Sequence, residues 1–118
     1  MKAHFIASDF DLTPELEKYA RHKMAEITRR VPRALRAQAS CTIQFDQKLT
    51  GETKFNTCTI VMVLPDTELH SRETTSHMYA ALDIASVNIN QQLRDYAVHH
   101  GAVGVRARLV RRPKAESE

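Results

Sequence analysis

Ala37-Gln38-Ala39-Ser40-Cys41-Thr42-Ile43-Gln44-Phe45-Asp46 alternates apolar and polar side chains without a break. A period of two is the repeat of a strand with one covered face. Ala37, Ala39, Cys41, Ile43 and Phe45 are therefore expected to face a core, and Gln38, Ser40, Thr42, Gln44 and Asp46 to face away. The same alternation recurs around residues 55–64 and 67–73. A polar loop centred on Thr50 and Gly51 separates the first two strands, and a Pro65-Asp66 turn separates the last two. A short strand through His4, Phe5 and Ile6 precedes them.

Two helical stretches bracket these strands. Thr13 is a good N-cap and Pro14 suits the first helical position, so a helix is predicted over 14–31, ending before Pro32. Leu16, Ala20, Met24, Ile27 and Val31 form its apolar stripe; Lys18, Arg21, His22 and Arg29 point to water, and Lys23 and Arg30 flank the stripe. A second helix, over roughly 76–100, starts from a polar cap among Thr74, Thr75 and Ser76. Tyr79, Leu82, Ser86, Ile89, Leu93 and Tyr96 make its core stripe, with Asn88, Gln91 and Asp95 opposite. The order is β-α-β-β-β-α, an α+β fold.

At 118 residues and 42% hydrophobic, the chain suits one domain with a modest core, expected over residues 1–100 and followed by a basic tail at 101–118. The opening apolar run is too short for a signal peptide, and no stretch approaches the roughly 20 apolar residues of a membrane span. A cytoplasmic protein without a membrane partner is expected. Cys41 and Cys58 then read as reduced, partly buried thiols on adjacent strands. With three Gly in all, the chain has no Gly-rich phosphate loop, and it shows neither a nucleophile elbow nor metal-ligand spacing. No catalytic residue, metal, cofactor or small-molecule substrate is expected; an enzyme would have to use Cys41 or Cys58 with His70 or Asp83.

Charge is more informative when divided along the chain. Arg106, Arg108, Arg111, Arg112 and Lys114, against Glu116 and Glu118, supply the whole formal net charge of +3. The first hundred residues therefore balance, and an anion-binding surface there must come from segregation. It is visible once: between Glu26 and Asp46 lie Arg29, Arg30, Arg33 and Arg36 with no acid among them. The first two complement a helix dipole, but four exceed what capping needs, so the cluster is either a solvated surface or a phosphate-contacting patch.

Two segments carry a resemblance. Asp11-Leu12-Thr13-Pro14-Glu15-Leu16 with Tyr19, and His77-Met78-Tyr79-Ala80-Ala81-Leu82-Asp83 leading to Gln92-Leu93, resemble the hallmark segments of the ribosome hibernation promoting factor family, also called the ribosome-associated inhibitor or YfiA-like family. His77 stands where that family typically has Asp, and Leu82 where it has Ile. The resemblance implies a four-stranded sheet with both helices on one face, similar to a double-stranded RNA-binding domain with an extra leading strand. It also implies a protein that binds the small ribosomal subunit, on rRNA in the channel for messenger and transfer RNA, and promotes hibernation under stress or in stationary phase.

On that reading Lys23 and Arg29 fall where the family presents basic side chains, and Arg30 and Arg33 join them as anchors. Arg72 and Arg94 are further candidates, as are Arg106 and Arg108 in the tail if it is ordered. The second helix departs from the family pattern, with Arg94 its only cation between Thr74 and His100. The chain also looks like a short form, without the family's ribosome-pairing C-terminal domain. The alternative reading is a protein-binding module, in the sense of a transcription-factor modulator, that recruits a partner or forms a homodimer through a sheet edge or the tail.

Overall fold

Strand β1 (Lys2–Ser8) leads through half-buried Phe10 and Leu12 into helix α1 (Pro14–Arg30). A computed structural model describes residues 1–100; the tail at 101–118, with Arg106 and Arg108, lies outside the described residues. The start of α1 follows its sequence signals: the Thr13 Oγ1 accepts from the Leu16 N–H at 3.2 Å, Pro14 follows, and Glu15 and Glu17 occupy the first turn. At the other end the Arg36 guanidinium folds back, its Nε donating to the Val31 carbonyl and its Nη2 to the Arg29 carbonyl, both at 3.1 Å. Carbonyls that the helix leaves without partners are satisfied in this way.

The chain then departs from the expected strand. Residues Arg33–Gln38 form a 3-10 helix, closed by the Leu35 N–H on the Pro32 carbonyl and the Ala39 N–H on the Arg36 carbonyl. Ala37 is consequently exposed and does not face the core. The alternation holds from the next residue on, with Ala39, Cys41, Ile43 and Phe45 all buried. Strand β2 (Ser40–Thr50) and strand β3 (Thr53–Val63) are both longer than the pattern implied, because Gly51 and Glu52 alone make the turn. Gly51 takes φ 64°, a left-handed conformation that glycine adopts without steric cost. After the turn at Pro65-Asp66 come strand β4 (Glu68–Thr75) and helix α2 (Met78–His100).

The sheet order is β1-β2-β3-β4, with β1 parallel to β2 and the other pairs antiparallel. Ser8 pairs with Asp46, and Thr75 with Asn56, itself opposite Gln47, so both helices leave from the same end of the sheet. The hairpin of β2 and β3 extends past that end: residues 48–50 and 53–55 have partners only in each other. Leu49 and Phe55 on this ribbon are exposed.

One core lies between the sheet and the helices. Cys41, Ile43, Phe45, Cys58, Ile60 and Met62 supply the sheet side, Leu16, Ala20, Met24 and Ile27 come from α1, and Ala81, Leu82, Ala85, Ile89 and Leu93 from α2. The expected stripe of α2 holds at Leu82, Ser86, Ile89, Leu93 and Tyr96, all buried, and fails at its first member. Met78 and Ala81 replace Tyr79, whose ring is 45% exposed. The other end of α2 is tied down by the Tyr96 hydroxyl, which donates to Asp66 at 2.9 Å. Among the described residues, no helix is long and apolar enough to cross a membrane.

Asn56, 4% exposed, joins three elements. Its Oδ1 accepts from Gln47 Nε2 at 2.7 Å, and its Nδ2 donates to the Ser76 carbonyl at 2.9 Å, immediately before α2. Asn56→Ala leaves both partners without it, and a buried unsatisfied polar group costs about 1–3 kcal/mol. Loss of that size is expected in the unfolding free energy from urea denaturation; a change below about 0.5 kcal/mol would show that water replaces the amide.

Candidate nucleic-acid interface

The face of the sheet turned away from the helices carries both signs of charge. Across it run the rows Lys2–Ser40–Val63–Glu68, His4–Thr42–Val61–His70, Ile6–Gln44–Thr59–Arg72 and Ser8–Asp46–Thr57–Thr74. Lys2 thus lies in the same row as Glu68, and Asp46 one row from Arg72. Arg72 is exposed here, with the whole sheet between it and the helices. A surface with charges so interleaved gives a polyanion little net attraction.

The helix side is segregated. Arg29 and Arg30 occupy the last turn of α1 and Arg33 opens the 3-10 helix; all three are exposed, and none has an ion-pair partner among the described residues. Arg36, the fourth cation of the cluster, is the cap of α1 already described. Arg94 is exposed on α2 and donates from Nη1 to Gln91 Oε1 at 3.1 Å.

Lys23 is placed differently from the other candidates. Its Nζ lies 3.4 Å from Asp83 Oδ1 on α2 and 4.0 Å from Glu26 Oε1, and it sits 5.2 Å from the centroid of the Tyr19 ring. Burial, the largest single influence, pulls its pKa down, but Tyr19, Asp83 and Glu26 together leave it raised. Tyr19 donates from its hydroxyl to the same Asp83 oxygen at 2.5 Å, and this hydrogen bond, followed by burial, raises its own pKa. Lys23, Tyr19 and Asp83 together brace the two helices. Lys23 stands apart from the free arginines, half-buried and already paired.

The sequence reading left Lys18 and His22 in water, put Tyr79 in a core stripe and named Asp83 only for the enzyme alternative. The signal for the first two was present: Glu15, Lys18, Tyr19 and His22 stand at positions i, i+3, i+4 and i+7, one face of α1. Tyr79 was concealed by its fit to an apolar stripe whose other five members are buried.

Among the described residues, neither cysteine meets a catalytic partner. Cys41 lies opposite Met62 and Cys58 opposite Phe45, so they are not cross-strand neighbours, and both are free and buried. His70 is on the outer face of the sheet, and Asp83 is held by Tyr19 and Lys23. Burial pushes both thiols up to about 12. The unfolded chain gives up these protons near 9.0, whereas the folded chain keeps them to about 12. Between those values the folded form binds more protons, so stability falls as pH rises. The expected result is a lower denaturation midpoint at pH 10.5 than at pH 8, with a smaller drop in the Cys41→Ala, Cys58→Ala variant; equal drops would assign the effect to other groups.

The sequence matches the model of the family described as "Sigma 54 modulation protein / S30EA ribosomal protein" over residues 4–99. The chain belongs to that family. Members of this family are ribosome-associated and non-enzymatic, in keeping with thiols held protonated and out of reach. Solved structures share the fold. The N-terminal domain of Protein Y from Thermus thermophilus matches with a TM-score of 0.61 at 20% identity, over 81% of this chain and 99% of that one. A ribosomal subunit interface protein from Coxiella burnetii matches with a TM-score of 0.65 at 18% identity, over 83% of this chain and 99% of that one. A search of curated proteins gave no match.

Proposed function

We propose that this family member binds the small ribosomal subunit through rRNA phosphates in the channel for messenger and transfer RNA, and holds ribosomes inactive during stress or slow growth. The carrying observation is the set Arg29, Arg30 and Arg33, three exposed guanidiniums without acidic partners among the described residues, at one end of a domain whose family is ribosomal. Arginine suits phosphate because its planar fork donates two parallel hydrogen bonds. A preformed domain that occupies the channel inhibits without chemistry, reading backbone shape rather than base sequence. Arg94 extends the cationic end on α2; Lys23 acts by bracing the helices and presents part of its charge, and Arg72 is a lesser contact on the opposite face. Arg106 and Arg108 would add to the attraction from the tail. A ribosome-binding role would put the protein in the cytoplasm.

Co-sedimentation of the full chain with purified 30S subunits across a salt series tests this. Association is expected at low salt and to weaken steeply as salt rises, because each neutralised phosphate releases counterions. Absence of association at low salt, or an affinity indifferent to salt, overturns the reading. Indifference would favour strand addition, for which β1 is the available edge. The β4 edge is partly covered, because Gln92 Nε2 on α2 donates to the His70 carbonyl at 2.7 Å.

A further inference from the structure

An open groove of about 590 Å³ runs between the first half of α1 and the first turn of α2, lined by Glu15, Lys18, Tyr19, Arg21, His22 and Tyr79. Its size falls within the roughly 300–1,000 Å³ of sites that take an organic ring. The two tyrosine rings stand 5.3 Å apart, inclined at 52°. Tyr19 is fixed from behind by its hydrogen bond to Asp83 and by Lys23 over its ring. Tyr79 packs against that fixed ring and still exposes 45% of its surface. An aromatic surface so exposed, and already held in one orientation, costs little further ordering when a ligand arrives.

The rim carries one unpaired cation. Lys18 is exposed and has no ion-pair partner among the described residues, and His22 is exposed with Glu26 Oε2 at 3.6 Å from its Nε2. Arg21 is drawn aside, paired to Glu17 at 2.6 Å and stacked 5.1 Å from the Phe5 ring centroid. Glu15, the one acid in the lining, stands one turn before Lys18, so a phosphate is favoured on the side of the Lys18 ammonium facing His22, whose ring can donate a hydrogen bond.

Resting on the RNA-binding reading above, we propose that this groove takes one unstacked RNA base against the Tyr79 ring, with its flanking phosphates on Lys18 and His22. Sequence-tolerant recognition of single-stranded RNA combines these two elements, an aromatic platform and a cationic track for the backbone. The groove would then fix a single-stranded nucleotide of the rRNA, while Arg29, Arg30 and Arg33 hold backbone elsewhere.

The test uses the full chain and two probes: end-labelled decaadenylate, followed by anisotropy, and an RNA duplex with the same number of phosphates. Tyr79→Ala is expected to weaken decaadenylate binding about tenfold, with an unchanged salt slope and unchanged duplex binding. Tyr79→Phe should keep wild-type affinity, since the ring does the stacking. The chain has no Trp, so quenching of tyrosine emission by decaadenylate reports ring contact directly. The proposal is overturned if wild type fails to bind decaadenylate at low salt, if Tyr79→Ala binds as wild type, or if Tyr79→Phe loses as much. Equal loss on the duplex also overturns it. Its failure separates cleanly from that of the ribosome reading. Should wild type miss the 30S subunit while Tyr79-dependent decaadenylate binding persists, only the ribosome reading falls; with 30S binding intact and Tyr79 irrelevant, only the groove does.

Discussion

The triple variant Arg29→Glu, Arg30→Glu, Arg33→Glu is expected to lose association with purified 30S subunits by on the order of 100-fold or more at moderate salt, while remaining folded. All three side chains are exposed, so the substitutions break no side-chain hydrogen bond or ion pair among the described residues. A carboxylate in the last turn of α1 opposes the helix dipole, but that costs only about 0.3–1 kcal/mol per residue. The dominant effect is therefore on the polyanion. Neutral Gln replacements separate lost attraction from added repulsion: the slope of log affinity against log salt should fall by about 0.7–0.9 for each phosphate contact removed. Undiminished binding by the Glu variant would remove the foundation of the proposed interface. Lys23 is left out by design, because Lys23→Glu would set a third carboxylate beside Asp83 and Glu26 and disturb the junction of the helices. A loss of binding there would not distinguish electrostatics from structure.

Phe45→Ala is expected to have the largest effect on stability. Phe45 is fully buried, opposite Cys58 on β3, with the Phe10 ring centroid 6.1 Å from its own. Truncating a core Phe removes transfer free energy and leaves a cavity, together about 3–5 kcal/mol. Small domains hold only about 5–15 kcal/mol in all, so the variant should lose a large fraction of its stability. Urea denaturation monitored by circular dichroism would show it, and a loss below about 1.5 kcal/mol would mean that Phe10 and α1 collapse into the space.

Much of this fold was legible in the sequence because its strands are covered on one side. The alternation from Ala39 to Phe45 predicts the buried set residue by residue, and Thr13-Pro14 marks the start of α1. The misses have physical causes. Ala37 fits the alternation but is claimed by the 3-10 turns that Pro32 and Arg36 close. Tyr79 fits a helical stripe, yet the first turns of α2 bury Met78, Ala81 and Ala85 instead, the two alanines being small enough to let the helix pack closely. A period alone does not fix where along a helix the buried stripe begins.

The interface was legible in part. A run of arginines without acids showed where cations gather. It did not show that Arg36 caps a helix, nor that Lys23 finds Asp83 sixty residues away in sequence. Such pairings depend on tertiary approach, which composition does not contain. The same holds for the groove, whose walls come from two helices.

The overhanging ribbon at residues 48–55 supplies a handle for all of these measurements. Two strands without a third neighbour are marginal by themselves, so amide protons there should exchange with solvent well before those at 58–62 in the same strand. Breathing at the tip need not reach the rest of the molecule. Its turn at Gly51 and Glu52 is open to solvent, with nothing near the glycine for an added side chain to strike. A fluorophore or short epitope placed between those two residues should leave the core and both helices undisturbed. It would ride at the end of the sheet from which the helices start, far from the arginines, and so report docking without taking part in it.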